Sequence, residues 1–321
     1  MSTQNNQWIR RVTLIVNDGT NGIDLSQFRI VFRVENANFE SPNTAVIRVY
    51  NLSKETVNKV RNEYSQVVLY AGYTDQGQLK GNFGIIFQGT IKQFRIGKED
   101  NKNTYLDVLA ADGDLGYNYG VVNATLSKGQ TARQQVDTIV KAMPGTTLGY
   151  MPENLQFDAQ HIPNIRGSVL FGLGRAKLRN IANTLNATWS IQQGKVSVIP
   201  NESYLPGEAV EINTLTGMIG VPEQTDEGIK VRMLLNPRLR IGGLVKLNDT
   251  EIAQMMEQNP NSASPIPYNQ WAGFYYNAPI SKDGTYAAYV IEHEGDTRGT
   301  PWYSNLICLA VDVSTGQVTA P

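Results

Sequence analysis

Alternation of apolar and polar positions organises the first third of the chain. Phe28, Ile30, Phe32 and Val34 alternate with Arg29, Val31, Arg33 and Glu35, a period of two that predicts a half-buried strand. Trp8, Arg10, Val12, Leu14 and Val16 mark an extended run that Asn17-Asp18-Gly19 ends as a tight turn. Thr44 to Tyr50, Val67 to Tyr73, Gly84 to Phe94 and Thr104 to Ala110 read as further strands, separated by Gly, Asp and Asn clusters. One short helix is expected after Tyr50, with Ser53 as its N-cap and Val57 and Val60 on its apolar side. About six strands with one small helix predict a compact β-barrel or sandwich over residues 1–118.

The pattern then changes. Thr131 to Val140 places Val136, Ile139 and Val140 on one helical face, and Pro144-Gly145 stops the run. A second helix is expected from Ala176 to Leu185, with Leu178, Ile181, Ala182 and Leu185 at core spacing. Trp189 to Gln193 and Lys195 to Ile199, joined at Gly194, read as a hairpin. Residues 119–208 are thus expected to form a small α+β domain. β character returns at Gly217 to Val221, Gly228 to Leu235, Leu244 to Leu247, Tyr286 to His293 and Trp302 to Val311. This gives a second β-rich unit over 209–321, interrupted at about 250–280 by a polar arm or loop in which Ile252 to Met256 reads as a helical turn. The two β-rich thirds match in strand count and size, without a residue-level repeat.

Composition narrows the function. Among 321 residues, 28 basic and 29 acidic side chains leave a net charge of -1, and charged residues are only 18%. Globular proteins average about 25%. Amides, hydroxyls and 29 glycines fill the difference, a weakly repelling surface suited to being built into an assembly. The balance disfavours nucleic-acid binding through bulk charge. One cysteine and two histidines exclude an internal disulfide and a cysteine-rich zinc site, and leave little for a histidine metal centre. The N-terminus lacks the layout of a secretory signal, and no run approaches the ~18 apolar residues of a membrane span. The expectation is a soluble chain, cytosolic when made, without membrane insertion, cofactor or metal.

The densest chemical cluster is Glu292-His293-Glu294-Gly295-Asp296. On a strand Glu292 and Glu294 share one face and His293 takes the other, so the three do not converge unless a bulge intervenes. The plain reading is a solvated strand end before a turn. Gly172-Leu173-Gly174 precedes a helix, but Lys177 stands where a dinucleotide fingerprint needs glycine, so a helix lead-in is the simpler reading. No acidic residue occurs from His161 through Asn201, while Arg166, Arg175, Lys177, Arg179 and Lys195 do, a local positive patch that suits nucleic-acid phosphate less than an acidic partner surface or plain solvation. Aromatic residues for base stacking are sparse there, with only Phe171 and Trp189. No Gly-x-Ser-x-Gly is present, and Cys308 in its apolar strand reads as a small buried hydrophobe.

Three stretches carry a resemblance. Gly217 to Pro237 contains Val221-Pro222-Glu223, Asp226-Glu227-Gly228 and Leu235-Asn236-Pro237; Val290 to Tyr303 contains Glu292-His293-Glu294-Gly295-Asp296-Thr297-Arg298-Gly299 and Pro301-Trp302-Tyr303. Both resemble the baseplate hub proteins of contractile-tailed bacteriophages, related to the central hub of T-even phages. Phe39 to Ser53, ending in Tyr50-Asn51-Leu52-Ser53, is similar to the first domain of those hubs. The resemblance implies a mainly β chain with two tail-tube-like β-barrels and an α+β middle domain. It implies a homotrimer whose six barrels match the six-fold tail tube on one side and hold the three-fold central spike on the other. Partners would be the spike, the tube or tube-initiator protein, other baseplate proteins and the tape-measure protein, with DNA only in transit. The place would be the virion baseplate, or a tail-like bacteriocin particle, after assembly in host cytoplasm.

Asp296 and Arg298 are then expected in a loop where they pair locally or across a subunit boundary. Trp302 and Tyr303 are candidate interface anchors, as are Trp271 and Tyr275 in the arm. The plain alternative for each is turn formation or core filling. Two other classes stay open at this point. One is a tail-associated cell-wall hydrolase, with Glu292, His293 and Glu294 as its cluster. The other is a tail-tip adhesin that binds surface carbohydrate through Trp271, Tyr275 and Tyr276.

Overall fold

The computed structural model describes residues 9–74, 82–153, 155, 166–201, 203–225, 227–247, 281, 283–312 and 317–318. The first third forms β1 (Arg10–Asn17), β2 (Gly22–Asp24), β3 (Ile30–Ala37), β4 (Thr44–Tyr50), α1 (Lys54–Glu63), β5 (Gln66–Tyr73), β6 (Phe83–Lys98) and β7 (Thr104–Ala111). The expected period holds in β3, where Ile30, Phe32 and Val34 are buried while Arg33 and Glu35 are exposed. Ser53 caps α1 by accepting from the Thr56 amide, and Val60 is its buried residue. Leu14, Ile30, Ile47, Leu69 and Leu106 meet in one core.

The middle third holds α2 (Asp114–Tyr119), β8 (Val121–Leu126), α3 (Ala132–Lys141), β9 (Thr147–Leu148), β10 (Ser168–Leu173), α4 (Gly174–Thr184), β11 (Ala187–Gln192) and β12 (Lys195–Pro200). Thr131 opens α3 with a full capping box, its hydroxyl taking the Gln134 amide while the Gln134 side chain takes the Thr131 amide. The hairpin of β11 and β12 turns on Gln193 and Gly194, both at positive φ, the twist a two-residue turn requires. Trp189, Ile139, Leu178 and Val196 form this unit's own core. β8 and β10 pair as a separate two-stranded ribbon.

The last third contains β13 (Val210–Ile212), a 3-10 turn (Thr214–Thr216), β14 (Glu223–Gln224), β15 (Ile229–Leu234), β16 (Leu244–Leu247), β17 (Thr285–Asp296), β18 (Trp302–Asp312) and β19 (Gln317–Val318). The strand expected over Gly217 to Val221 is mostly absent. Gly217 and Gly220 adopt left-handed backbone, and a single bridge joins Met218 to Met233. The expected helical turn at Ile252 to Met256 and the arm at 250–280 lie outside the described residues.

The fold is mainly β with an α+β middle, as expected, and its two β-rich units are continuous. β3 pairs antiparallel with β17, from Val31 opposite Asp296 to Ala37 opposite Val290. One sheet therefore runs β14-β15-β18-β17-β3-β4-β7-β6-β5-β1-β2. The units also trade core residues: Leu235 and Trp302, from the last third, pack in the core built by the first.

Candidate functional site

The seam between β3 and β17 gathers most of the sequence-selected residues. Its inner side begins with the pleat of β17, which sends His293 inward and leaves Glu292 and Glu294 on the outer face, as the alternation required. His293 is 2% exposed, and its Nδ1 lies 2.8 Å from Ser304 Oγ. That oxygen also accepts the Asn236 amide at 3.1 Å, so Ser304 links the imidazole to the backbone of the neighbouring strand end. Burial lowers the His293 pKa to about 4. His293 is thereby held neutral inside the sheet, away from the two carboxylates.

Each outer charge has an opposite partner. Glu292 lies 2.7 Å from Arg33 Nε, Arg33 also meets Glu35 at 3.0 Å, and Glu294 takes Arg232 at 2.8 Å. Burial pushes the Glu292 pKa upward, with Arg33 pulling against it. Arg232 lies over the Tyr303 ring, 4.2 Å from its centroid. The row continues outward with Lys230–Glu227 at one end and Arg48–Asp107, 2.7 Å, at the other. Over β3, β15 and β17 the outer face of the shared sheet therefore carries paired charges. Both carboxylates of the Glu292–Glu294 pair face an arginine of another strand.

The loop from Asp296 to Pro301 closes the seam. Asp296 is 6% exposed and receives Arg29 through two bonds, Nε to Oδ1 at 3.2 Å and a terminal nitrogen to Oδ2 at 2.7 Å. Burial alone would raise the Asp296 pKa; the Arg29 bonds and the Arg298 amide outweigh it and hold the carboxyl below its ordinary value. The expected partnership of Asp296 with Arg298 is thus made through the Arg298 backbone, at 2.9 Å, while the Arg298 side chain stays exposed. Arg10 donates to the carbonyls of Gly299 and Thr300 at 2.6 and 2.9 Å. Thr297 and Ile30 exchange two bonds, amide to hydroxyl at 2.9 Å and amide to carbonyl at 3.0 Å. Arg10 and Arg29, the residues that pin this loop, were missed by the sequence reading, because their partners lie more than 260 positions away.

Trp302 is fully buried and meets Phe32 edge-on at 5.5 Å, so within this chain it fills the core. Tyr303 is half-buried on the outer face, under Arg232. Trp271, Tyr275 and Tyr276 lie outside the described residues. Gly174 opens α4 pressed against Met143, where an added Cβ would come within 2.8 Å, which suits a helix lead-in rather than a phosphate loop. Cys308 is buried, and burial pushes its thiol up to about 12. Among the described residues no three His, Cys, Asp or Glu side chains group to hold a metal ion, and no helix is long and apolar enough to cross a membrane.

Residues 9–253 match the family model described as baseplate hub gp41. No curated protein matches the chain. The 43 kDa tail protein of prophage MuSo2 from Shewanella oneidensis superposes with a TM-score of 0.56 at 7% identity, over 94% of this chain and 98% of its own. The tail protein from Neisseria meningitidis MC58 gives 0.56 at 10% identity, over 94% and 96%. The E. coli c3393 protein gives 0.51 at 10% identity, over 92% and 76%; it is described as a type VI secretion component with structural similarity to T4 tail proteins gp27 and gp5. At these identities the likeness is one of fold.

Proposed function

We propose a mechanical role for this chain, which belongs to the baseplate hub gp41 family and is thereby a structural protein of the phage tail baseplate: it adapts the symmetry of the tail. Three copies would form the hub of a contractile tail, each contributing two tube-like β units. Six similar units in a ring meet the six-fold tube, and the three-fold face seats the central spike. The units would correspond to residues 1–118 and 209–321, with 119–208 as a decorating or spike-facing domain. The tape-measure protein and then DNA would pass through the middle, and assembly would take place in host cytoplasm. No catalysis is assigned to it.

The continuous sheet carries this reading. A ring of six units built from three chains must keep the two units of each chain at a fixed angle. Seven paired positions between β3 and β17 and the Arg29–Asp296 lock supply that rigidity. A flexible tether would leave the angle free. The test is absolute mass by light scattering, alone and with its candidate spike protein. A trimer, or a monomer driven to a trimer by the spike, supports the adapter. A monomer at every concentration with and without spike overturns it.

A further inference from the structure

The middle unit keeps an apolar core of its own, built on Trp189, Ile139 and Val196 and separate from the core of the first unit. Where its β11–β12 hairpin meets the sheet, the bonds that hold it are polar. Asn43, 5% exposed, donates to the Ile191 carbonyl at 3.0 Å and to Gln192 Oε1 at 2.8 Å. Gln192 donates to the Ala37 carbonyl at 3.0 Å, and the Gln193 side chain to the Ile85 carbonyl at 3.2 Å. Asp112, just past β7 and 3% exposed, accepts the Gln193 amide on Oδ2 and the Gly194 amide on Oδ1, the latter at 2.8 Å. Six hydrogen bonds thus fasten one hairpin tip to the first unit, and the Asp112 carboxylate is the one titratable group among them.

That carboxylate is buried without a cation. Its two amides meet part of what ionisation demands, but a charge taken out of water needs an opposite charge to offset the loss. Lys92 of β6 pairs with Asp114 instead, and Glu40, in the loop before β4, goes to Arg179. From β3 and β4 the groups brought to the junction are the uncharged Asn36 and Asn43. Lys195 beside the tip, and Arg238, Arg240 and Glu208 from the chain beyond the middle strands, line the same cleft but are exposed. Among the described residues none of them makes an ion pair with Asp112. Burial accordingly raises the Asp112 pKa from 3.8 to about 6, against the pull of the two amides. The cleft itself holds about 770 Å³ and is lined by all three units, Phe87 from the first, Gln192 from the hairpin and Val245 from the last among them.

We propose that the β11–β12 tip is a proton-linked latch: with Asp112 protonated it is closed on the sheet, and with Asp112 ionised it lets the hairpin lift and opens the cleft between the units. The sign follows from linkage. Docked, Asp112 binds a proton more tightly than it does in water, so protonation favours docking and ionisation opposes it. Docking is strongest below pH 4, weakens as pH rises toward 6 and is weakest above it. From pH 4 to pH 7 the docking equilibrium becomes about fiftyfold less favourable. Neutral pH therefore leaves the latch poised, and a small polar junction between units is the kind that moves. The latch rests on this junction alone and is independent of the ring.

Hydrogen exchange in the full-length chain tests it, with rates corrected for the intrinsic pH dependence of exchange. Protection of the Gln193 and Gly194 amides is expected to fall about fiftyfold from pH 4 to pH 7, while amides of the β3–β17 seam keep theirs. Asp112→Asn is expected to flatten that profile. Gln193→Gly removes the side-chain bond to Ile85 and tolerates the positive φ there, so it is expected to lower protection by the same factor at every pH. Protection that is flat or rises with pH in the parent overturns the latch. So does a slope shared with the seam, which would mean unfolding of the whole chain. An Asp112→Asn chain that keeps the parent slope overturns the assignment to Asp112. The parent profile needs no substitution, so it decides the matter even where Asp112→Asn does not fold.

Discussion

Trp302 separates two roles that an aromatic residue can take in an assembly. It is fully buried, edge-on to Phe32 at 5.5 Å, with the Arg10 guanidinium 5.5 Å from its ring centre. Truncating a buried Trp to Ala costs about 3–5 kcal/mol, and an aromatic pair adds about 0.5–1.5 kcal/mol beyond burial. Among the described residues the indole N–H has no acceptor, so none of their hydrogen bonds is lost in the change. We therefore expect Trp302→Ala to destabilise the chain by about 4–5 kcal/mol, and Trp302→Phe, which keeps most of the ring, by about 1–2 kcal/mol. With a urea slope of roughly 3 kcal/mol per M, suited to a chain of this size, the midpoint falls by about 1.5 M for Ala and about 0.5 M for Phe. Because Trp302 arrives from β18 but fills the first unit's core, its loss should also split one unfolding transition into two. Far-UV circular dichroism in urea reads both effects, and light scattering run beside it reads assembly. If Trp302→Ala left the urea midpoint unmoved and abolished association, the core assignment would be wrong and the anchor reading right.

Gly295 lies beneath the same pair, and a Cβ there would come within 2.3 Å of the Phe32 ring and 2.9 Å of Trp302, so Gly295→Ala should cost about 1–3 kcal/mol in urea melts. A double-mutant cycle of Arg29→Ala and Asp296→Ala should give a coupling of about 1–2 kcal/mol, since the Asp296 side chain is 8% exposed but Arg29 38%. Two buried groups oppose each other in acid. His293, lowered from 6.5 to about 4, contributes stability that is complete above 6.5 and lost as pH falls toward 4, on the order of 3 kcal/mol. Asp112, raised from 3.8 to about 6 by burial against the bonds it accepts from the Gly194 and Gln193 amides, removes stability on the order of 3 kcal/mol as pH rises across that window. Their contributions nearly cancel between pH 4 and 6, so Asp112→Asn should steepen the acid loss and His293→Gln should reverse its slope; parallel profiles for both variants would refute the assignment.

Local pattern was enough for the elements whose two sides differ. β3 shows its buried side in Ile30, Phe32 and Val34, α1 announces itself through its Ser53 cap, and α3 through Val136, Ile139 and Val140 on one face. The ribbon was hidden for the converse reason. Ser168 to Leu173 is almost wholly apolar, so nothing in its order says that Val169 and Phe171 face outward while Leu170 is buried. The six residues of α2 are too few for a helical period to emerge. At the seam, Asp296 and Trp302 were noticed but their roles were not legible. A buried aromatic and an interface aromatic look alike in sequence, and the partners Arg29 and Phe32 are set by pairing across more than 250 positions.

The outer face of the shared sheet carries a charge balance that can be tested directly. A polyanion moving through a ring is held by each unpaired cation it meets, and every phosphate contact adds to affinity and to its salt dependence. Arg33 and Arg232 are partly exposed on that face, yet Glu35, Glu292 and Glu294 cover them with opposite charge. Neutralising the carboxylates without altering their shape exposes the arginines. The triple variant Glu35→Gln, Glu292→Gln and Glu294→Gln should therefore bind duplex DNA measurably where the parent binds weakly, with affinity that falls as salt is raised. Fluorescence anisotropy of labelled duplex across a salt series reads this directly, and the urea midpoint confirms that the variant is folded. A folded variant with unchanged DNA affinity would mean that these pairs do not neutralise the arginines.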